Sequence, residues 1–282
     1  MLEHRRHAGI LVVALVAGLG CARSAAADDA RVWKPLFGTA YTLQAREAQL
    51  GIGLQAYGIV DRVTIATLLA AWILPAFSDA FAPNVLVRYR FMDARRWSFA
   101  LQTGMSWINV KDANLIGTTK QTTNSIIFPF QMLATNRAPF GLLSSLEATY
   151  VAGQATLQDG AVIKDFNSGI VASSLQFALA LEYPFSRFVA LTLTGRVVAW
   201  VPKGRIDAVA VVDESNEVRV RGTITDQDVA GSYNVVGGMA FYTRRLFSLR
   251  VGAGYGRFIF PTLGFVYLET GPVIDFAAFF RF

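Results

Sequence analysis

The sequence predicts an all-β protein: a transmembrane antiparallel up-and-down β-barrel of about 12 strands, with about 10 also compatible. Three observations carry this. The chain is 53% hydrophobic, yet beyond its first residues no uncharged apolar run reaches the roughly 18 residues of a spanning helix. The nearest, Val63 to Phe77, is too short and contains Pro75. Apolar and polar residues instead alternate with period two, stretch after stretch, which places them on opposite faces of strands. The chain also closes on Gly271-Pro-Val-Ile-Asp-Phe-Ala-Ala-Phe-Phe-Arg-Phe282, which alternates up to its last residue. A barrel needs this distribution, because in lipid only helices and closed sheets satisfy every backbone N–H and C=O.

Taken in order, the N-terminus has the three parts of an export signal. Arg5 and Arg6 are a basic start, Gly9 to Ala22 a short apolar segment, and Ala25-Ala26-Ala27 before Asp28 a small-residue cleavage site. Residues 1–27 are therefore expected to be removed, with export by the general secretory route. Cys21, His4 and His7 leave with them, so the mature chain is expected to have no thiol, disulfide or imidazole. Arg5, Arg6, Arg23 and Glu3 also leave, and the remaining charge is mildly positive. Such a balance calls for no nucleic acid or other polyanion.

Strands are expected at 46–57, 62–73, 82–92, 97–109, 124–135, 142–153, 170–183, 187–201, 231–243, 246–258 and 270–282. A single-chain bacterial barrel has an even number, so Trp33 to Leu43, turning through Gln44-Ala45-Arg46, is assigned as the remaining one. Outward faces read Val85, Val87, Tyr89 and Phe91; Trp97, Phe99, Leu101, Met105 and Trp107; and Val189, Leu191, Leu193, Val197 and Val201. Pro129 is a misfit inside its strand, since proline removes a ladder donor. Aromatics gather near both ends of the apolar faces, as in interfacial girdles. Between strands, short connections (Ile59–Arg62, Asp93–Arg96, Asn136–Phe140, Pro184–Arg187, Thr243–Leu246) alternate with long ones at 74–81, 110–123, 154–169, 202–230 and 259–269. Within 202–230, Arg205–Val212 and Val218–Ile224 alternate around Asp213–Glu217 and predict a projecting hairpin.

The final strand resembles the terminal strand of Gram-negative outer-membrane β-barrels, the segment their assembly machinery reads. Ile274, Phe276, Phe280 and Phe282 carry that likeness and are expected to face lipid. Tyr57-Gly-Ile-Val-Asp-Arg-Val63 with Ala82–Phe91 is similar to a turn-and-strand pattern of uncharacterised, porin-like or transporter-type outer-membrane barrels. The resemblance implies an integral outer-membrane location, a periplasmic C-terminus with the long loops outside, and phospholipid, lipopolysaccharide and the barrel-assembly machinery as partners. It does not extend to the barrel enzymes. The phospholipase, lipid A deacylase and omptin families depend on a histidine, and this mature sequence has none; Ser/His/Asp, Cys/His and zinc chemistry fall with it. The expectation is therefore no enzyme, no cofactor and no metal; the acidic groups Asp159-Gly160, Asp165–Asn167 and Asp213–Glu217 match no calcium-loop spacing.

Strand parity assigns Arg88, Arg90, Glu147, Glu182, Arg196, Arg250, Asp275 and Arg281 to the interior. So many charges require water or pairing, and Arg250 and Asp275 fall close enough on consecutive strands to pair. An aqueous lumen with a slight basic bias would pass small anionic solutes, and a passive, porin-like channel is the expected function. The alternative is a closed structural or binding barrel, plugged by ion pairs, that engages a ligand or partner through its extracellular loops. Arginines of the short turns (Arg62, Arg95, Arg96, Arg137, Arg187, Arg244, Arg245) sit where phospholipid headgroups of the inner leaflet would lie.

Overall fold

The computed structural model describes residues 35–36, 38–69, 72, 80–110, 122–158, 161–166, 174–201, 204–213, 216–224, 229–243, 247–260 and 265–282. The export-signal assignment, Trp33, and residues 74–79, 111–121 and 261–264 of the expected loops lie outside them.

The strands in chain order are β1 (Ala48–Ile52), β2 (Leu54–Val60), β3 (Val63–Leu68), β4 (Ala80–Phe81), β5 (Asn84–Ala94), β6 (Trp97–Val110), β7 (Thr122–Arg137) and β8 (Leu143–Gln158). They continue as β9 (Ala161–Phe166), β10 (Ser174–Pro184), β11 (Val189–Trp200), β12 (Gly204–Asp213), β13 (Asn216–Ile224), β14 (Tyr233–Thr243), β15 (Phe247–Phe260) and β16 (Phe265–Arg281). The hydrogen-bonded ring runs β1-β2-β3-β5-β6-β7-β8-β10-β11-β14-β15-β16 and returns to β1. This is a closed antiparallel barrel of 12 strands. Closure joins the two ends of the ring: Ala48 and Phe282 exchange backbone hydrogen bonds of 3.1 and 2.9 Å, and Leu50 lies opposite Phe280.

The strand count agrees with the alternation, but its last member has another source. Residues 38–43 form no strand; they are turn and coil, buried inside the barrel. The extra strand arises because 46–57 is two strands, β1 and β2, hairpinned at Gly53, whose φ is +116°. A side chain is strained there, and glycine is the residue that turns without strain. The face exposed to the outside changes parity across this turn. Leu50 and Ile52 point out before it, Tyr57 and Ile59 after it.

Other departures are local. Phe91 is an extra residue in the β5–β6 ladder, so Met92 takes the following outward position. A register shift at Leu175–Gln176 opposite Trp200 turns Val201 inward, where it packs with Val198, Val229 and Ile259. Pro129 sits within β7, and the β6–β7 ladder lapses there, passing from the Thr103–Phe130 pair to the Ser106–Ile127 pair. β16 begins at Phe265 and β8 runs to Gln158, so the wall at those loops is taller than the alternation indicates. The expected hairpin is present as β12–β13, and β9 pairs with β12, which makes a small sheet beyond the barrel wall.

The outer wall is apolar. Leu101, Phe130, Met132, Leu146, Leu191 and Met239 are all about half exposed, far more continuous apolar surface than a soluble monomer presents. Ile274 (74%), Phe276, Phe280 and Phe282 share this face. Phe247 and Phe280 touch across the β15–β16 ladder with ring centres 5.0 Å apart. Hydrocarbon, not water, suits such a surface.

Gly53→Val separates the two readings of 46–57. In a continuous strand, valine is a favourable residue; at φ +116° it is expected to destabilise the barrel by about 1–3 kcal/mol. The urea midpoint of the heat-modifiable form on a detergent gel measures the difference, and an unchanged or raised midpoint contradicts the hairpin.

Candidate functional site: the filled lumen

Below, the lower end of the barrel is the one that carries Phe282. There the chain before β1 folds into the lumen. Leu36, Thr39, Ala40, Tyr41, Thr42 and Leu43 are all buried. This plug is held by inward-facing side chains of the wall. Thr135 Oγ1 accepts from the Ala40 N–H at 2.8 Å, Thr64 Oγ1 from the Leu43 N–H at 2.9 Å, and Thr42 Oγ1 donates to the Asp61 carbonyl at 2.8 Å. Arg88 is the principal tie: its Nη1 donates to the carbonyls of Leu36 at 2.5 Å and Tyr41 at 3.0 Å. A plug of irregular backbone needs such partners, because its own N–H and C=O groups have no ladder.

The lumen wall has two chemistries. Around β2, β3 and β5 it is apolar: Leu54, Ala56, Ala66, Leu68, Ala82 and Leu86 pack with Leu36 and Leu43 of the plug. From β5 round to β16 it is a polar belt. Arg88 Nε donates to Gln102 Oε1 at 2.8 Å, Gln102 hydrogen-bonds Gln131, and Gln131 Nε2 donates to Glu147 Oε1 at 2.9 Å. Thr149 Oγ1 donates to the same oxygen at 2.6 Å. Arg196 meets Glu147 with two hydrogen bonds, Nη1–Oε1 at 2.8 Å and Nη2–Oε2 at 3.1 Å. Both side chains are nearly enclosed, 10% and 6% exposed. A forked pairing of this kind suits guanidinium and carboxylate geometry.

The belt continues on the far side. Arg250 Nε lies 2.6 Å from Asp275 Oδ2, and its Nη2 donates to Thr194 Oγ1 at 2.8 Å. Glu182 is hydrogen-bonded by Tyr242. The remaining two of the eight parity-assigned charges stand at the lower rim. Arg90 bonds the Asp61 carbonyl at 3.1 Å and lies 3.4 Å from Asp93, while Arg281 lies 3.4 Å from Glu47 and 3.3 Å from Gln49 Oε1. All eight thus stand on the lumen side and none faces lipid. Gln102, Gln131, Thr149 and Thr194 link them. Alternation puts Thr194 on the inward face beside Arg196; Gln102, Gln131 and Thr149 share that parity, but a Gln or Thr on a strand face is unremarkable until its neighbours are known.

Little space is left. Between Gly38 of the plug and Ser145, Glu147, Ala178, Arg196 and Arg250 of the wall remains a cavity of about 20 Å³, room for about one water.

No protein-family model matches the sequence, and no curated protein does. Among solved structures, the chain is similar to the outer-membrane expressed OmpT of Vibrio cholerae, at 11% identity and a TM-score of 0.41, over 81% of this chain and 64% of that one. It is also similar to CdiB from Escherichia coli, at 8% identity and a TM-score of 0.34, over 84% of this chain and 62% of that one. The chain spans less than two thirds of the length of either.

The Glu147–Arg196 pair is the most enclosed of the ion pairs described. Glu147→Gln leaves the Arg196 guanidinium buried without its counter-charge and is expected to lower stability by about 3–5 kcal/mol. Glu147→Gln combined with Arg196→Met removes both charges and should recover most of that loss. Urea unfolding of the two variants beside the wild type checks this; equal losses would mean the pair is solvated.

Proposed function

We propose that the protein is an integral outer-membrane channel for small solutes that is closed at rest by its own N-terminal segment, with residues 35–43 as the plug. The observation that carries this is the pair of hydrogen bonds from Arg88 to the Leu36 and Tyr41 carbonyls. Arg196 and Arg250 have carboxylate partners. Arg88 is instead satisfied by neutral groups, Gln102 and the plug. If the plug withdraws, Arg88 loses those acceptors and must be hydrated. The open lumen then exposes the Arg88 guanidinium, which favours small anions. The apolar cluster around Leu36 and Leu43 opposes withdrawal, because leaving it re-exposes both leucines to water. The expected orientation places the plugged end at the periplasm.

A second reading is supported by the β9-β12-β13 sheet, which extends beyond β8 at the opposite end. It treats the barrel as permanently closed and the projecting sheet as its working surface for a partner. Planar-bilayer recording separates the two. Wild-type protein should give rare, small openings, and a variant lacking residues 35–43 should give sustained conductance with anion preference. Ala40→Cys with Thr135→Cys, residues linked at 2.8 Å, should silence the wild-type openings when oxidised and restore them on reduction. Silence from the shortened variant, in protein that still shows heat-modifiable migration, would exclude the channel and leave the closed barrel.

A further inference from the structure

At the lower rim the turns β5–β6 and β7–β8 enclose a cleft of about 340 Å³, walled by Arg95, Arg96 and Trp97 on one side and Asn136, Ala138 and Pro139 on the other. The sheet builds it. Trp97 and Asn136 are ladder partners, and the Arg137 N–H donates to the Arg96 carbonyl at 3.0 Å.

Its charge is one-sided. Arg95 and Arg96 are exposed, and among the described residues neither has an ion-pair partner. No carboxylate lines the cleft. The neighbouring Asp93 is engaged elsewhere, accepting from Ser98 Oγ at 2.7 Å and lying 3.4 Å from Arg90 Nε. Arg95 also has a φ of +46°, at a turn position where glycine or asparagine would sit with less strain.

The outer side of the cleft is aromatic. The Trp97 indole stacks on Phe99 with ring centres 5.8 Å apart, and Phe99 lies 6.3 Å from Phe91. Tryptophan at the end of an outward apolar face sits at the depth of lipid headgroups. Two unpaired guanidiniums thus stand beside an aromatic surface at the height where a phospholipid carries its phosphate above its acyl chains.

We propose that this cleft is a binding site for an anionic phospholipid of the periplasm-facing leaflet. Arg95 and Arg96 hold the phosphodiester, and Trp97 packs on the glycerol and upper acyl region. Each arginine near the surface contributes about 1 kcal/mol toward an anionic headgroup, so losing both should weaken binding roughly 30-fold.

Native mass spectrometry of the refolded, full-length mature protein in detergent, titrated with phosphatidylglycerol, tests the site. Wild type should bind one phosphatidylglycerol in preference to phosphatidylcholine, and Arg95→Gln with Arg96→Gln should weaken it about 30-fold. Arg62→Gln with Arg187→Gln removes two rim arginines outside the cleft and should leave the affinity unchanged. If the double variant in the cleft fails to fold on a heat-shift gel, Arg96→Gln alone is read instead, with a loss of about fivefold. Equal weakening by both pairs would reduce the effect to net charge and overturn the proposal. So would undiminished binding after loss of Arg95 and Arg96, or displacement of the lipid by millimolar inorganic phosphate, which would assign the cleft to a free anion.

Discussion

Closure is the constraint on which the rest depends. A sheet in hydrocarbon cannot leave an edge, because each unsatisfied N–H or C=O there is costly. The first strand must therefore pair with the last, and Ala48 and Phe282 do so through their backbones. Once β1 is pinned to the lower end of β16, the residues before Ala48 emerge at the lower rim on the inner side of the wall. The Gly58 backbone and the short Asp61–Arg62 turn crowd them there, with Arg46 donating to the Gly58 carbonyl at 2.8 Å. The plug is thus a consequence of where the ring closes, and its contacts with Thr64 and Asp61 begin one turn from that seam.

Filling the lumen raises a second demand. Buried charges are tolerated only when paired and hydrogen-bonded, and the belt from Arg88 to Asp275 meets this with a chain of amides and hydroxyls between the charges. Glu147 accepts from Gln131, Thr149 and Arg196 together, so one carboxylate orients three strands at the same height. Among the described residues, Arg88 is the arginine of this belt that shares its donors between the wall and the N-terminal segment.

Much of this was legible in the alternation. The outward Phe276, Phe280 and Phe282 and the inward Asp275 and Arg281 follow from counting by twos, and the total of 12 strands follows from the even-number rule. The Gly53 hairpin was hidden for a physical reason. Parity reverses there, but the inward face that follows is Leu54 and Ala56, which pack on the plug instead of facing water. Gln49 faces the lumen before the turn and Gln55 the outside after it, so the polar residues keep one parity through the reversal and two short strands read as one. The same cause disguised 33–43, where Leu36 and Leu43 are apolar because they meet that wall. Long-range partners such as Arg88 with the Leu36 carbonyl, 52 residues apart, have no local signature at all.

The two halves of the lumen therefore belong to one device. An apolar inner wall at β2, β3 and β5 would be wet and unstable in an open pore, so its presence implies that something apolar normally covers it. Leu36 and Leu43 do so in this state. A polar belt facing them would be wasteful around a wholly apolar filling, so the carbonyls of Leu36 and Tyr41 turn toward Arg88. The plug is two-faced as the lumen is two-faced. A segment matched on both sides is specified by the barrel interior, and substitutions on either wall, Leu54 or Arg88, act on the same packed segment.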